Sequence, residues 1–298
     1  MSSTLSEPRE SEHEARRPAG SFGELRRAAA RILAACDMPG ADTPELDAEL
    51  LLASAAGVRR SIVLAFPERE LDAARAARFE ALVEQRAQGV PLAYLLGVRE
   101  FFGLELQVSS RVLVPRPETE LLVEAVLAAY PAAGPRVLDL ATGSGAIALA
   151  LKHCRPDFRV TGADLSPEAL GVARANAEGL ALEVEWVESA WFAELAGRQF
   201  EAVVCNPPYV ASTDAHFAGP LRFEPRLALD GGPDGLAAFR AVLREAPAHL
   251  APGGRLLMEH GFDQRRAVLE LAAAAGLRVV DARADLAGRD RYVVLERN

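Results

Sequence analysis

One segment constrains the fold of this chain more than any other, VLDLATGSGAIALAL at residues 137–151. An apolar run that contains Asp139 leads into a turn with Gly143 and Gly145, and apolar residues then continue to Leu151. This order predicts a buried strand, a tight turn and a helix, because glycine allows positive φ and a close approach of the backbone to a ligand. The first turn of such a helix has free N–H groups. In an open parallel sheet these features predict a nucleotide-type pocket beyond the carboxyl end of the strand.

Strand-like and helix-like segments alternate along the C-terminal part of the chain. The strand candidates are Arg136–Leu140, Arg159–Asp164, Glu183–Glu188, Ala202–Cys205, Arg255–Glu259, Leu277–Asp281 and Tyr292–Glu296. Helical patterns lie near residues 119–130, 145–153, 167–178, 234–249 and 263–275. Such alternation is typical of an α/β fold, in which helices cover a mostly parallel sheet.

The glycine turn does not by itself specify which nucleotide binds. Ala148 stands where a dinucleotide-binding fingerprint has its third glycine, so the pocket need not hold NAD. Asp164 ends the next strand candidate, about twenty residues after the first glycine, and its carboxylate can accept hydrogen bonds from both hydroxyls of a ribose. Two other interpretations stay open at this point. The turn can be an ordinary strand–helix connection, and Asp164 can simply cap the helix that follows.

The segment VVCNPPYVAS, residues 203–212, ends a strand in an unusual way. Asn206 is followed by two prolines, which fix φ and cannot donate to a sheet, and then by Tyr209. The prolines are therefore expected to hold the Asn206 side chain and the neighbouring carbonyl groups rigid at the strand tip. A rigid amide beside accessible carbonyls and an aromatic ring suits a substrate with a planar nitrogen group.

The N-terminal part of the chain is organised differently. Residues 1–20 are polar and charged without periodicity, so we expect a disordered tail there. Residues 21–95 carry helical patterns and predict a small helical domain, in which Thr43 caps one helix. A hairpin-like connector is expected at residues 96–114, and the α/β domain at residues 115–298.

Composition limits the partners and the kinds of site. A net charge of −9 argues against tight, nonspecific binding of nucleic acid, since phosphate contacts dominate that affinity. Three isolated cysteines, Cys36, Cys154 and Cys205, make neither a metal cluster nor a disulfide framework. We therefore expect no metal and a reducing cytoplasm. No apolar stretch reaches the roughly 18 residues that a membrane span needs, and the N-terminus has no signal-peptide pattern.

The order of the motifs resembles that of class I S-adenosylmethionine methyltransferases. D-x-x-T-G-S-G comes first, an acid follows the second strand, and N-P-P-Y follows the fourth, as in enzymes that methylate a planar amide or an exocyclic amine nitrogen. From about residue 22 onward the chain is similar to the HemK/PrmC family, the peptide chain release factor glutamine N5-methyltransferases. The segments that carry this resemblance are PLAYLLGVREFFG, LVPRPETELLVE, LDLATGSGAIALAL, CNPPYV, RFEPRLALDGGPDGL and PGGRLLMEHG.

The resemblance implies a fold, a reaction and a set of site residues. The fold is a Rossmann-like class I methyltransferase with a mostly parallel seven-stranded sheet, preceded by a small helical domain that binds the substrate. The reaction methylates the side-chain amide nitrogen of the glutamine in the Gly-Gly-Gln loop of release factors, and S-adenosylmethionine becomes S-adenosylhomocysteine. The residues carried over for the cofactor are Ala141, Thr142, Gly143, Ser144, Gly145, Asp164, Trp191 and Asn206. Those for the substrate are Asn206, Pro207, Pro208 and Tyr209. We expect a cytoplasmic monomer that requires neither nucleic acid nor a membrane.

Within this interpretation the catalytic residues are Asn206, Pro207 and Tyr209. The side-chain carbonyl of Asn206 and the main-chain carbonyl of Pro207 are each expected to accept a hydrogen bond from the substrate amide, which orients its nitrogen toward the methyl group. Tyr209 is expected to lie against the flat amide. Trp191 can flank the adenine ring, or it can be a core tryptophan. Ala141 departs from the family, which usually has glycine there, and we expect φ to be negative at that position.

Three alternatives stay open. A sister family methylates a glutamine of a ribosomal protein, but the segments PRPETE and RFEP resemble the release factor branch more closely. An adenine N6 methyltransferase would also use N-P-P-Y, yet it would usually carry a basic recognition region that this acidic chain lacks. A noncatalytic cofactor-binding scaffold is disfavoured by the intact motif. For the helical domain, substrate selection competes with a role in stabilising the core.

Overall fold

Two compact units make up the chain, and they meet in sequence between Leu96 and Gly97. The computed structural model describes residues 18–36, 43–131 and 134–297. Within these ranges no helix combines the length and the apolar character that a membrane crossing requires. Each unit encloses apolar core clusters of its own.

The structure departs from the sequence expectation at the start of the described chain. Residues 1–17 of the expected tail lie outside the described residues. For residues 18–20 the expectation is wrong, because Pro18–Ser21 forms a strand, β1, that pairs antiparallel with β2, Glu70–Asp72. Pairing gives the backbone groups of this polar segment their hydrogen-bond partners, and the partner strand is too far along the chain for local composition to reveal it.

The first unit is mainly helical, as its periodicity predicts. Its helices are α1 (Phe22–Ala34), α2 (Pro44–Ala56), α3 (Arg60–Ala65), α4 (Ala73–Ala87) and α5 (Leu92–Leu96). A buried ion pair of 2.7 Å between Arg86 and Asp47 joins α4 to α2. Thr43 is the N-cap residue of α2, but its side chain does not accept the expected backbone hydrogen bond. Its hydroxyl lies 3.4 Å from the Asp47 carboxylate, a stronger acceptor for that proton.

The second unit begins with an antiparallel hairpin and continues as a layered α/β structure. The hairpin strands are β3 (Val98–Phe101) and β4 (Leu104–Gln107). The later strands are β5 (Arg136–Leu140), β6 (Arg159–Asp164), β7 (Glu185–Glu188), β8 (Phe200–Cys205), β9 (Leu250–Glu259), β10 (Leu277–Ala284) and β11 (Asp290–Arg297). The helices are α6 (Glu120–Ala129), α7 (Ala146–Cys154), α8 (Pro167–Leu180), α9 (Ala237–His249) and α10 (Arg265–Ala274).

The seven later strands form one sheet in the order β10-β11-β9-β8-β5-β6-β7. All neighbouring pairs from β9 to β7 are parallel, and β11 runs antiparallel to both of its neighbours. The chain goes from β5 outward through β6 to β7 and then returns to the other side of β5 with β8. The strand order therefore reverses between β5 and β8, which is where open α/β sheets bind their ligands.

Alternate side chains of the sheet face two different cores, as the period of a strand requires. In β8, Ala202 and Val204 belong to the cluster that contains the buried faces of α6 and α7. Val203 and Cys205 belong to the cluster that contains those of α9 and α10. Helices thus cover both faces of the sheet, and the strand ends between them remain available for a site.

Strand β9 begins earlier than the sequence predicts. It includes Pro252, Gly253 and Gly254, although this sequence is typical of a turn. Its pairing with β8 changes register between Phe200 and Ala202, and this irregularity accommodates the extra residues. A Cβ on Gly254 would lie 2.8 Å from the Phe200 carbonyl oxygen, so glycine allows the two backbones to approach there.

Candidate active site

A cavity of about 380 Å³ opens at the carboxyl ends of β5, β6 and β8, beside the reversal in strand order. This volume is within the range of small-molecule sites. The predicted site residues that line it are Ala141, Thr142, Gly143, Ser144, Asp164, Trp191, Asn206 and Pro208. The sequence motifs that lie far apart in the chain therefore meet at one place.

Three predicted residues lie beside the cavity rather than in its lining. Gly145 is the N-cap of α7, with φ of 83°. Pro207 is buried, and the hydroxyl of Tyr209 lies 3.4 Å from a carboxylate oxygen of Glu259. The ring of Tyr209 packs beside the core cluster that contains α9 and α10.

Asp164 ties the second strand to the glycine turn. Its Oδ2 accepts a hydrogen bond from the Gly143 N–H and its Oδ1 one from the Ser166 N–H, both at 2.9 Å. Partial burial raises the pKa of Asp164, against the effect of these backbone donors. Each carboxylate oxygen keeps a further lone pair, so the residue can still accept hydrogen bonds from hydroxyl groups in the cavity.

Asp139 holds the turn together from below. It is 1% exposed, and its Oδ2 accepts hydrogen bonds from the Thr142 hydroxyl at 2.5 Å and the Ala148 N–H at 3.0 Å. Its Oδ1 has no partner among the described residues. Burial accordingly raises the pKa of Asp139 to about 7, and the two hydrogen bonds oppose that rise. The carboxyl group joins the end of β5 to the first turn of α7.

The expectation for Ala141 is wrong, because its φ is +61°. It is the first of three left-handed positions in the turn, followed by Gly143 at 57° and Gly145 at 83°. The Thr142 N–H donates to the Ala163 carbonyl at 3.0 Å, which draws the turn against β6. This tertiary contact sets the backbone conformation, and alanine is tolerated in it at a cost of about 1–2 kcal/mol.

Two tryptophans contribute to the site in different ways. Trp191 is half-buried, lines the cavity and has φ of 55°. It also packs against a core cluster. Its surroundings are therefore compatible with a position beside the adenine ring and with a role in core packing. Trp186, which sequence reasoning missed, lies behind the turn. A Cβ on Gly162 would come within 2.3 Å of its ring, and one on Gly145 within 2.9 Å.

The N-P-P-Y segment is fixed against a later loop. The Val210 N–H donates to the Leu229 carbonyl at 2.9 Å, and the Gly231 N–H donates to the Val210 carbonyl at 2.8 Å. A Cβ on Gly231 would lie 2.8 Å from the Pro208 carbonyl oxygen. The position of Asn206 therefore depends on this loop as well as on the stiffness of the two prolines.

The Asn206 side chain has a partner that sequence reasoning also missed. Its Nδ2 donates to Thr119 Oγ1 at 3.2 Å, and the Thr119 hydroxyl donates to Glu259 Oε2 at 2.7 Å. Thr119 lies in a short helical turn before α6, and Glu259 is the last residue of β9. The PRPETE and MEHG segments contain both residues, but only the fold brings them together.

Arg116 forms part of the cavity wall. It forms an ion pair of 2.5 Å with the buried Glu224, which also accepts from the Val114 N–H at 3.1 Å. Glu118 lies 4.0 Å from Arg291, and Glu120 accepts from the Phe102 N–H at 2.9 Å. Phe101 and Phe102 pack in or against the core rather than over the cavity.

Comparison with known proteins identifies the family. A model described as PrmC N-terminal domain matches residues 24–97, and one described as Methyltransferase small domain matches residues 117–220. The release factor glutamine methyltransferase of Burkholderia pseudomallei is 51% identical over 255 residues, which cover 83% of this chain and 90% of that protein. The chain belongs to the release factor glutamine methyltransferase family. Its resemblance to HemK/PrmC proteins is confirmed.

Further relatives support the assignment over most of the chain. The family member from Escherichia coli K12 is 41% identical over 259 residues, or 86% of this chain and 94% of that protein. A solved methyltransferase from Pyrococcus furiosus is 20% identical and has a TM-score of 0.50, over 65% of this chain and 88% of that one. This structural likeness concerns the fold alone, and it confirms the class I methyltransferase fold.

The cavity fits the cofactor of this family on its own chemistry. Asp164 offers carboxylate oxygens suited to ribose hydroxyls, the indole of Trp191 offers a flat apolar surface, and the turn brings backbone close to a ligand through Gly143. Among the described residues no cluster of His, Cys, Asp or Glu side chains is arranged to hold a metal ion.

Proposed function

We propose that this chain transfers the methyl group of S-adenosylmethionine to the side-chain amide nitrogen of a glutamine in peptide chain release factors. One observation carries the proposal. Asn206 lines the same cavity as the glycine turn and Asp164, so the group that would hold an amide lies beside the residues that would hold the cofactor. The relatives named above are release factor glutamine methyltransferases, which supports this choice of substrate.

S-Adenosylmethionine supplies an electrophilic methyl group on a positively charged sulfur. The amide nitrogen of a glutamine is a weak nucleophile, so the protein contributes mainly by orienting it. As the N–CH3 bond forms and the S–CH3 bond breaks, the nitrogen loses one proton to water. Asn206 Oδ1 accepts one N–H of the substrate amide and the Pro207 carbonyl accepts the other. An added Cβ on Gly231 would lie 2.8 Å from the Pro208 carbonyl oxygen, which is therefore close to that loop, and we assign the second acceptor to Pro207. The hydroxyl of Tyr209 contacts the Glu259 carboxylate and so helps to hold this loop in place.

The predicted cofactor residues bind different parts of S-adenosylmethionine in this proposal. Asp164 binds the ribose hydroxyls, the turn from Ala141 to Gly145 approaches the ligand through its backbone, and Trp191 flanks the adenine ring. The Asp164 carboxylate is held in place by the Gly143 and Ser166 N–H groups before any ligand binds. This preorganisation supports its role, because fewer groups must be ordered on binding.

The N-terminal unit selects the protein substrate in this proposal. It has its own core, and the PrmC N-terminal domain model matches most of it. In this proposal the active form is a monomer. The net charge of −9 supports a reaction without direct nucleic acid contact. In this proposal the reaction takes place in the cytoplasm, where translation termination occurs.

A panel of substrates tests the proposal. The protein is incubated with methyl-labelled S-adenosylmethionine and, in separate reactions, with a release factor, a ribosomal protein or DNA. Label is expected on the release factor, and a release factor whose loop glutamine is changed to glutamate serves as the matched control and is expected to stay unlabelled. Label on the ribosomal protein alone, or on DNA alone, would contradict the proposed substrate.

A further inference from the structure

A chain of hydrogen bonds runs inward from Asn206 to a buried carboxylate. Asn206 Nδ2 contacts Thr119 Oγ1 at 3.2 Å, and Thr119 Oγ1 contacts Glu259 Oε2 at 2.7 Å. Thr119 is 5% exposed and Glu259 is 2% exposed. Glu259 lies outside the cavity lining, so it does not contact the substrate there and acts through the residues that it holds.

Counting protons fixes the direction of this chain. An ionised carboxylate only accepts, so Thr119 must donate its single hydroxyl proton to Glu259. The Thr119 oxygen can then only accept from Asn206, which turns the Nδ2 of Asn206 inward. The Oδ1 of the same amide is left for the cavity. The orientation of Asn206, which is ambiguous for an isolated amide, is thus determined by the charge on Glu259.

The second oxygen of Glu259 faces the same loop. Tyr209 directs its hydroxyl at Glu259 Oε1 over a long distance of 3.4 Å. One carboxylate is therefore connected to both ends of the N-P-P-Y segment, through Thr119 at Asn206 and directly at Tyr209. In both contacts a hydroxyl group donates to Glu259, as expected for an ionised carboxylate.

We infer that Glu259 is a positioning residue that, through Thr119, makes Asn206 present an acceptor and so selects a carboxamide over a carboxylate. The inference rests on the proposed function, in which Asn206 receives the substrate amide. A glutamine side chain offers two N–H donors, whereas an ionised glutamate offers acceptors only. With Asn206 reversed, its NH2 group would face the substrate, and the slot would repel the donors of glutamine.

The surroundings of Glu259 make its charge sensitive to pH. Burial raises the pKa of Glu259 to about 7, while the Thr119 hydroxyl and the charge of Arg291 lower it. Glu118 raises the pKa further, and the Tyr209 hydroxyl lowers it. Burial raises the pKa of the Cys205 thiol, and the charges of Asp139, Asp164 and Glu259 raise it further.

Protonation of Glu259 reverses the chain. A protonated carboxyl can donate to Thr119, whose own proton then becomes available to the Asn206 oxygen. The side-chain amide is then free to turn its nitrogen toward the cavity. The rate of methyl transfer is therefore low below the pKa of Glu259, rises through about 7, and is highest where the carboxyl group is ionised.

Paired variants of the full-length protein test the inference. Glu259→Gln removes the charge that fixes the direction of the chain, because a glutamine side chain can donate as well as accept. Thr119→Val removes the hydroxyl, while Thr119→Ser keeps it. Thr161 donates a hydrogen bond of 2.9 Å to Glu185, and neither residue lines the cavity. Thr161→Val and Glu185→Gln therefore alter the same kind of hydrogen bond and serve as matched controls. For each variant, kcat, KM and the pH profile are measured with a release factor and methyl-labelled S-adenosylmethionine, and cofactor affinity is measured separately.

The expected result is a loss in kcat of about tenfold or more for Glu259→Gln and Thr119→Val, which corresponds to one misdirected hydrogen bond. Cofactor affinity is expected to be unchanged, and the step in rate near the pKa of Glu259 is expected to vanish in Glu259→Gln. Thr119→Ser recovers most of the rate, and the two control variants match the wild type.

Two outcomes would overturn the inference. One is a Glu259→Gln variant with the kcat and pH profile of the wild type. The other is a Thr119→Val variant as active as Thr119→Ser. If a variant loses cofactor binding through misfolding, the wild-type pH profile decides on its own, since a rate without a rise near the pKa of Glu259 contradicts the inference. A wild type that leaves release factor unlabelled would instead contradict the proposed function, and the inference with it.

Discussion

Ala141 shows at the scale of one residue how a fold overrides a local preference. Alanine favours negative φ, yet the turn after β5 places it at +61°. The cause is the hydrogen bond from the Thr142 N–H to the Ala163 carbonyl of β6, a contact that no local pattern contains. The sequence indicated the glycines of the turn and Asp164 as candidates because their chemistry is local. It could not identify the strain, which depends on a neighbouring strand.

Ala141→Gly is expected to stabilise the protein. Glycine relieves about 1–2 kcal/mol of strain in the left-handed conformation. It also destabilises the folded state by about 0.5–1 kcal/mol, because the unfolded chain gains conformational freedom. A net gain of up to about 1.5 kcal/mol should appear as a higher midpoint in urea unfolding with an unchanged slope. Ala273→Gly, at an exposed position of α10, is the control and is expected to lose up to about 1 kcal/mol. A loss of stability in both variants would contradict the strain at Ala141.

Asp139 gives the stability of the fold a defined pH dependence. Its pKa is raised to about 7 in the folded protein, above its usual value of 3.8, so the folded state keeps a proton that the unfolded chain has already released. Stability is therefore lost as pH rises from about 4 through about 7. Asp139→Asn removes this titration, and urea unfolding between about pH 5 and about pH 8 should show a shallower decline than in the wild type. Parallel profiles would contradict the assignment.

At the scale of elements, small residues set how closely strand, turn and helix can pack. Gly162 lies in the middle of β6, and the ring of Trp186 from the neighbouring β7 covers it. Gly145 opens α7 against the same ring. The sequence identified Gly145 from its motif. The need for glycine at 162 depends on a tryptophan in the next strand, which only the sheet register reveals.

Gly162→Ala is expected to destabilise the protein and to weaken cofactor binding. Its Cβ would lie 2.3 Å from the Trp186 ring, so the indole must shift and disturb the wall of the turn. Overpacking of this kind costs about 1–3 kcal/mol. Gly171→Ala is the matched control, because its Cβ would meet nothing within 4 Å and it lies exposed in α8. The control should gain up to about 1 kcal/mol, and equal effects of the two changes would contradict the packing.

At the scale of the whole molecule, periodicity and motif order were enough to predict most of the architecture. The alternation from residue 136 onward predicted the strands, and β5 and β6 have the predicted bounds. The β1–β2 pair, the early start of β9 and the link from Asn206 to Glu259 were missed. All three join residues that are distant in sequence, where a pattern read along the chain carries no information about pairing.

A change that destabilises the N-terminal unit is expected to reduce methylation of the release factor without reducing cofactor affinity. Asp47→Ala removes the carboxylate of the buried ion pair with Arg86 in the N-terminal core, and breaking a buried pair typically costs about 3–5 kcal/mol. Methylation of an intact release factor is expected to fall, while cofactor affinity stays unchanged because the cavity is built by the other unit. Calorimetry and initial rates check the two effects. Arg75→Ala, which removes an exposed pair, is the control and should change neither. An equal loss of cofactor affinity in Asp47→Ala would contradict this division.

In the proposed reaction, Asn206 orients a glutamine amide for methylation in the cavity that holds the cofactor. Mass spectrometry of a release factor after reaction with the wild type and with Asn206→Ala tests it most directly. The account predicts one added methyl group on the side-chain nitrogen of a loop glutamine with the wild type. It predicts almost none with Asn206→Ala, although that variant retains most of its affinity for S-adenosylmethionine. Full methylation by Asn206→Ala, or a methyl group on any other residue with the wild type, would contradict the account.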